Sequence, residues 1–305
     1  MINGIINIYK EKGYTSHDVV AKMRGILRIK KIGHTGTLDP DAEGVLPVCI
    51  GKATKVVDLI VEKDKTYDAV LKLGIITDTQ DMTGNVIRTS EVDISLDRVA
   101  EAVQSFIGGY NQIPPMYSAV KINGKKLYEF ARQGKEVDRA YRWVDIHNIQ
   151  ILGYDSEEYE VKLRVDCGKG TYIRTLLYDI GEFLGCGGAM KSLVRTRVGE
   201  FDIKDSLRLS QVEKHVSSGT IQDYIIKIDE MFLSYPKVVV SERYSKLIYN
   251  GNSFKKEHIA DSGENIDEIN QEHIPVRVYD SKGKFVGIYN YDIKDRVFHV
   301  KKMFL

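Results

Sequence analysis

Residues 33–47 read Gly-His-Thr-Gly-Thr-Leu-Asp-Pro-Asp-Ala-Glu-Gly-Val-Leu-Pro. Gly, Thr and Pro at this density exclude a helix and argue against a central strand, whereas Val45, Leu46 and Val48 need a core to pack on. The run is expected to be a shaped loop anchored against the interior. Asp39 precedes Pro40, whose ring disfavours the α region for the preceding residue and holds Asp39 extended. A carboxylate on so stiff a loop points one way, as a nucleophile or general base requires. Asp before Pro also makes Asx-turns that bond nearby amides and do no chemistry. The loop alone leaves both readings open.

Before it, Gly4 to Lys10 reads as a strand. Ser16 is placed to cap a helix carrying Val19, Val20, Met23, Ile26 and Leu27 at helical spacing. The basic residues Lys22, Arg24, Arg28, Lys30 and Lys31 lead directly into His34; they suit a solvated helix face or phosphate contacts equally. After it, Val56 to Val61 reads as helical. Tyr67, Ala69, Leu71 and Leu73 then alternate as in a half-buried strand, where Tyr67 is a core aromatic on pattern alone. Asp78 and Asp81 resemble half a metal site, but no further clustered ligands follow, so they read as turn formers and hydrogen-bond groups. Ser95 to Ile107 is an amphipathic helix closed by Gly108-Gly109.

Residues 111–142 hold seven basic and three acidic side chains with interleaved tyrosines, a composition suited to loop or single-strand RNA. Trp143 to Gly153 and Glu158 to Cys167 read as strands, the second alternating through Tyr159, Val161, Leu163 and Val165. Arg174 lies where a helix opens after Gly168-Lys169-Gly170-Thr171-Tyr172-Ile173. Such an Arg serves either a structural ion pair or the bidentate holding of a catalytic carboxylate. Ser210 and Glu213 fit a capping box. From Tyr235-Pro236 onward the pattern changes to short strands, with a helix over 241–250 and an acidic, solvated loop over 261–272.

The net charge of +1 over 305 residues names no partner, so a nucleic-acid binder of this composition must segregate its basic residues on one face. Cys49, Cys167 and Cys186 have no CxxC spacing and the seven histidines form no HxxxH pair, so neither disulfide framework nor zinc site is suggested. The N-terminal residues do not form a signal peptide and no run reaches the length of a membrane span. The expectation is a cytoplasmic protein without metal or cofactor.

The stretch Gly-His-Thr-Gly-Thr-Leu-Asp-Pro-x-Ala-x-Gly-Val-Leu resembles the signature of the TruB family of tRNA pseudouridine synthases. The resemblance recurs at Lys65-x-Tyr67, at Thr77-Asp-Thr-x-Asp-x-x-Gly84, at Gln112-x-Pro-Pro-x-x-Ser-Ala-x-Lys121, at Tyr128-x-x-Ala-Arg-x-Gly134, and at Gly170-Thr-Tyr-Ile-Arg-Thr175. It implies an α+β pseudouridine synthase fold over residues 1–234, a mixed, mainly antiparallel sheet with flanking helices and a central cleft. A small β-barrel resembling a PUA module is implied over 235–305. It further implies that Asp39 is the nucleophile, that Arg174 pairs with it, and that Tyr67 stacks on the target base and moves protons. Tyr172 and Leu193 are implied to complete the base pocket, with His34 filling the space the flipped nucleotide leaves. Lys10, Lys30, Lys31, Lys121, Lys125, Lys126, Arg132 and Arg195 are the expected RNA contacts.

The implied substrate is uridine 55 in the T-loop of elongator tRNA. The Gly-His-Thr-Gly version of the loop is similar to the stand-alone type, which implies a monomer with no guide RNA or obligate protein partner. Two departures stand out: Glu11 replaces the Pro usual after Lys10, and Val194 replaces an Arg. Two rival readings are a non-catalytic tRNA-binding folding chaperone on the same fold, and a carboxylate-based phosphohydrolase, which needs magnesium.

Overall fold

The computed structural model describes residues 2–122, 124–261 and 275–305. Gly4–Lys10 is the first strand, as expected, and pairs antiparallel with Glu43–Ile50 along its whole length, from Gly4 opposite Ile50 to Lys10 opposite Gly44. Glu43–Ile50 is an interior strand, contrary to the sequence expectation. It also pairs with Ile32–His34 and, in parallel, with residues 194 and 195. Val45, Leu46, Val48, Cys49 and Ile50 are completely buried, so hydrophobic burial overrides the Gly and Pro punctuation. Pro47 has no N–H to give, but its carbonyl accepts both the N–H and the hydroxyl of Thr35 at 3.2 Å. Only residues 35–42 remain as loop.

The main sheet runs in the order Gly4–Lys10, Glu43–Ile50, Gly188–Val198, Lys65–Leu73, Glu160–Cys167, Ile146–Asp155. It is mainly antiparallel; only Ile146–Asp155 and Glu160–Cys167 form a hairpin, and the other neighbours along this order are distant in sequence. On one side the helices Leu96–Ser105 and Ile173–Leu184 bury Val99, Leu176, Leu177 and Ile180 against Leu71, Leu163 and Val165. A second cluster brings together the helices Ser16–Leu27 and Leu209–Ser217 with Ile6, Ile8, Leu46 and Val48. Alternation at Tyr67, Ala69, Leu71 and Leu73 faces the first of these cores.

Several local expectations shift by a residue or more. Thr15, not Ser16, caps the first helix, in a capping box with Asp18. Ser16 turns inward instead, and this matters for the site below. The helix at Leu209–Ser217 is capped by the Gln211 side chain accepting the Arg208 N–H at 2.8 Å, so Ser210 and Glu213 form no capping box. Tyr159 lies in the turn before its strand, with φ of 51°. Trp143 belongs to a separate short strand, Arg142–Val144, and is 59% exposed.

The C-terminal strands form a second, six-stranded sheet in the order Phe254–Lys255, Val297–Met303, Phe285–Asp292, Pro275–Tyr279, Lys237–Val240, Ile259–Asp261. It is small and barrel-like, around a core of Val238, Phe254, Val276, Val278, Tyr289 and Phe298. The helix expected over 241–250 is shorter: a 3₁₀ turn, Glu242–Tyr244, then Ser245–Tyr249. Of the acidic stretch 261–272, Asp261 ends a strand and the rest lies outside the described residues. Phe285, Ile288 and Phe304 join Ile5, Val45 and Phe232 in one apolar cluster, and Lys55 Nζ donates to the Met303 carbonyl at 2.7 Å. No helix among the described residues is long and apolar enough to cross a membrane.

Candidate active site

Loop 35–42 is held at three points, Gly36, Leu38 and Pro40, by side chains that reach it from other segments. Ser16 Oγ accepts the Leu38 N–H at 2.9 Å. Arg195 donates to the carbonyls of Val45 and Gly36 at 2.8 and 3.2 Å. Lys10 Nζ donates to the carbonyls of Tyr14 at 2.6 Å, Pro40 at 3.1 Å and Glu11 at 3.3 Å. Gly44 follows the loop with φ of 105°, and a Cβ there would lie 2.2 Å from the Arg195 carbonyl oxygen, which is why the position is glycine.

Lys10 and Arg195 therefore do not belong with the expected RNA contacts. They are 0% and 1% exposed; Lys10 gives its ammonium to backbone carbonyls, while Arg195 gives Nε and Nη2 to carbonyls and also lines the cleft beside Tyr67. Burial pulls the Lys10 ammonium down to about 8, against the attraction of Asp39, Glu43 and Asp41. Lys10→Met is expected to cost about 2–4 kcal/mol of stability, since three carbonyls lose their donor. It should leave the salt dependence of the RNA binding expected from the sequence unchanged, whereas loss of a phosphate contact would reduce that slope by about one. Filter binding across a salt series with thermal denaturation of the same variant checks both. Glu11, in place of the usual Pro, pairs with Arg208 at 2.6 Å.

Across the cleft, Arg174 opens the helix Ile173–Leu184 and is 5% exposed. Its Nε lies 3.0 Å from Asp39 Oδ2 and its Nη2 3.3 Å from Asp39 Oδ1, a bidentate pair. The rest of the guanidinium is equally committed. Nη1 donates to the Thr79 carbonyl at 3.1 Å and faces Asp81 Oδ2 at 3.5 Å, and Nη2 donates to the Tyr117 carbonyl at 2.8 Å. Asp81 in turn accepts from the Thr79 and Thr83 hydroxyls, so it orients Arg174 as a second carboxylate that the substrate side does not see. Burial pushes the Asp39 carboxyl above its ordinary value, with Arg174 as the main opposing influence. The outcome is one aimed carboxylate whose proton affinity the Arg174 charge restrains.

Asp39 lines a cleft of about 680 Å³ together with His34, Tyr67, Tyr172, Arg174 and Leu193. Tyr67 and Leu193 are 8% and 7% exposed and come from paired strands. Burial raises the Tyr67 phenol, while Arg195 beside it pulls the other way. Burial and the Arg195 charge lower His34, which keeps its imidazole neutral and suited to stacking. Among the remaining expected contacts, Lys30, Lys31, Lys121, Lys125 and Arg132 are solvent-exposed. Lys126 lines the cleft itself, and Lys126 and Arg132 flank the Tyr128 ring at 5.4 and 5.2 Å. Sequence reasoning missed the inward roles of Lys10, Ser16 and Arg195, for which hydropathy gives no signal. A cluster of potential metal ligands, Asp292, Asp295 and His299, lies on the C-terminal sheet and does not line the cleft.

Residues 24–173 match the model of the N-terminal domain of TruB family pseudouridylate synthases, and residues 174–233 match that of the tRNA pseudouridylate synthase B C-terminal domain. The chain is 55% identical to tRNA pseudouridine synthase B of Lachnoclostridium phytofermentans over 100% of both chains. It is 49% identical to that of Clostridium novyi over 94% of this chain and 95% of the relative. Among solved structures, a Cbf5-Nop10-Gar1 complex contains a chain 27% identical at a TM-score of 0.71, covering 99% of this chain and 85% of that one. An H/ACA RNP bound to a substrate RNA containing 2′-deoxyuridine is similar at 25% identity and the same TM-score, 0.71.

Proposed function

The chain belongs to the TruB family of pseudouridylate synthases, and we propose that it converts uridine 55 in the T-loop of tRNA to pseudouridine with Asp39 as nucleophile. The observation that carries the assignment of roles is the bidentate Arg174–Asp39 pair in a cleft flanked by two tyrosines. The reaction breaks the N1–C1′ bond, rotates the uracil and joins C5 to C1′. It conserves every heavy atom and exchanges the C5 hydrogen with solvent. Asp39 has three routes into it: addition to the uracil ring, attack at C1′, or removal of the 2′ proton. Each starts from an ionised, aimed carboxylate, and Arg174 supplies both conditions.

The uracil must leave its stack for Asp39 to reach it. Tyr67, Tyr172 and Leu193 offer faces for the flipped base, and neutral His34 suits the space left behind. A buried Tyr67 phenol stays protonated, so it is available to donate or relay a proton. Lys30, Lys31, Lys121, Lys125, Lys126 and Arg132 supply the positive charge for phosphates, in a chain whose total charge is +1. We read 1–234 as the catalytic unit and 235–305 as a PUA-like RNA-binding module, in a cytoplasmic monomer that needs neither guide RNA nor a partner protein. The chaperone reading gives no reason for a carboxylate gripped by an arginine at the cleft.

Mapping carbodiimide-modified pseudouridine by primer extension on an unmodified tRNA transcript tests the substrate. One stop at the T-loop uridine is expected, absent when that uridine is replaced by cytidine. Modification elsewhere, or none, contradicts the proposal.

A further inference from the structure

Tyr172 reaches the cleft from a stretch with little regular structure to hold it. Gly168 and Gly170 precede it, and it is the extended residue before the helix Ile173–Leu184, with φ of −97° and no side-chain cap. Its backbone is instead gripped by Gln112, which is 1% exposed on the short strand Tyr110–Gln112. Gln112 Oε1 accepts the Tyr172 N–H at 2.9 Å, and Gln112 Nε2 donates to the Tyr172 carbonyl at 3.0 Å. The two bonds fix the backbone of Tyr172 on both sides of its Cα, as a strand neighbour would.

The direction of that amide, fixed by the Tyr172 N–H and carbonyl, is reinforced further away. Gln112 Nε2 also donates to the Tyr110 hydroxyl oxygen at 2.7 Å, and Tyr110 donates its own proton to Asp179 Oδ2 at 2.7 Å. Because Asp179 takes the Tyr110 proton, the phenol oxygen has only an acceptor to offer Gln112. An inverted amide would set oxygen against the Tyr172 carbonyl and N–H against N–H. Asp179 sits on the helix that Tyr172 precedes, so the chain of bonds closes on itself. The 111–142 stretch, expected from its charge to be an RNA surface, thus holds at its second position a buried residue that faces inward.

We propose that Gln112 is a positioning residue of the active site, holding Tyr172 at the angle the flipped base requires, with Tyr110 and Asp179 anchoring its amide. The proposal rests on the reading of Tyr172 as a wall of the base pocket. Gln112 touches no substrate, so its removal should slow the reaction while leaving affinity nearly intact.

The test is single-turnover pseudouridine formation at saturating tRNA, with tRNA affinity measured alongside, for Gln112→Leu, Tyr172→Leu, the double variant and Gln112→Met. Gln112→Leu is expected to slow turnover by about 10- to 100-fold, the range for a misaligned reactant, with tRNA affinity changed less than about threefold. In the Tyr172→Leu background the same change should cost nothing more, because Gln112 acts through Tyr172. A purely structural role would cost as much in either background, and that additivity would overturn the proposal. Wild-type turnover in Gln112→Leu would overturn it too. Wild-type turnover in Tyr172→Leu would remove its premise instead, and wild-type protein inactive on tRNA would remove the functional reading beneath both. Should Gln112→Leu fail to fold, Gln112→Met decides: it keeps the length of the side chain but makes neither bond to Tyr172, so turnover must fall, and an unchanged rate overturns the proposal.

Discussion

Asp39→Asn is expected to lower single-turnover pseudouridine formation by on the order of 10⁴-fold, the scale seen when a carboxylate essential to an active-site constellation becomes an amide. The amide keeps the shape of the side chain but neither attacks nor takes a proton. It also sets N–H groups against the Arg174 guanidinium, which now grips the carboxylate with Nε at 3.0 Å and Nη2 at 3.3 Å. tRNA affinity should change little, because the exposed lysines and the aromatic walls remain. Rapid-quench assays with nucleoside chromatography, beside equilibrium binding, separate the two effects. A residual rate within about tenfold of wild type would mean that Asp39 orients the substrate and does not react with it.

Arg174 carries the second large effect. Arg174→Lys keeps a charge but cannot span both Asp39 oxygens while also serving the carbonyls of Thr79 and Tyr117, so turnover should fall about 10²- to 10³-fold. Arg174→Met leaves Asp39 and Asp81 without their shared guanidinium and should cost about 3–5 kcal/mol of stability, read as a lower Tm. The pH profile gives an independent sign. Burial raises Asp39 and Arg174 opposes the rise. The rate, which needs the ionised form, should therefore fall on acidification through a value above the ordinary aspartate range of about 3.9. Arg174→Met should move that limb to still higher pH. Stability runs in the opposite sense: a carboxyl whose folded value is raised favours the fold when protonated, and that contribution is lost as pH rises through the folded value. The site retains a carboxylate that works against the fold at the pH where it acts.

How far the sequence could be read depended on whether a residue's partners were side chains or backbone. Gly4–Lys10 and the alternation from Tyr67 to Leu73 follow from hydropathy period alone, and both strands lie where that period puts them. Arg174 and Asp39 are 135 positions apart, and a motif resemblance was needed to bring them together. Lys10 and Arg195 were misread because a cation in a sequence carries no mark of being buried. Their partners include the Pro40 and Gly36 carbonyls of the Asp39 loop, which converge only once Glu43–Ile50 has been laid between its neighbours. Gly44 and Pro47 disguised that strand as loop. Gln112 was hidden in a basic stretch whose net charge describes its exposed lysines and not its first buried residue.

The most direct measurement is tritium release from a tRNA transcript labelled at uracil C5, with wild type and Asp39→Asn compared in the absence of added metal. Joining C5 to C1′ expels the C5 hydrogen, so the account predicts stoichiometric release from the T-loop uridine by wild type and none by the variant at equal occupancy. A wild-type protein that binds folded tRNA and releases no tritium would contradict it.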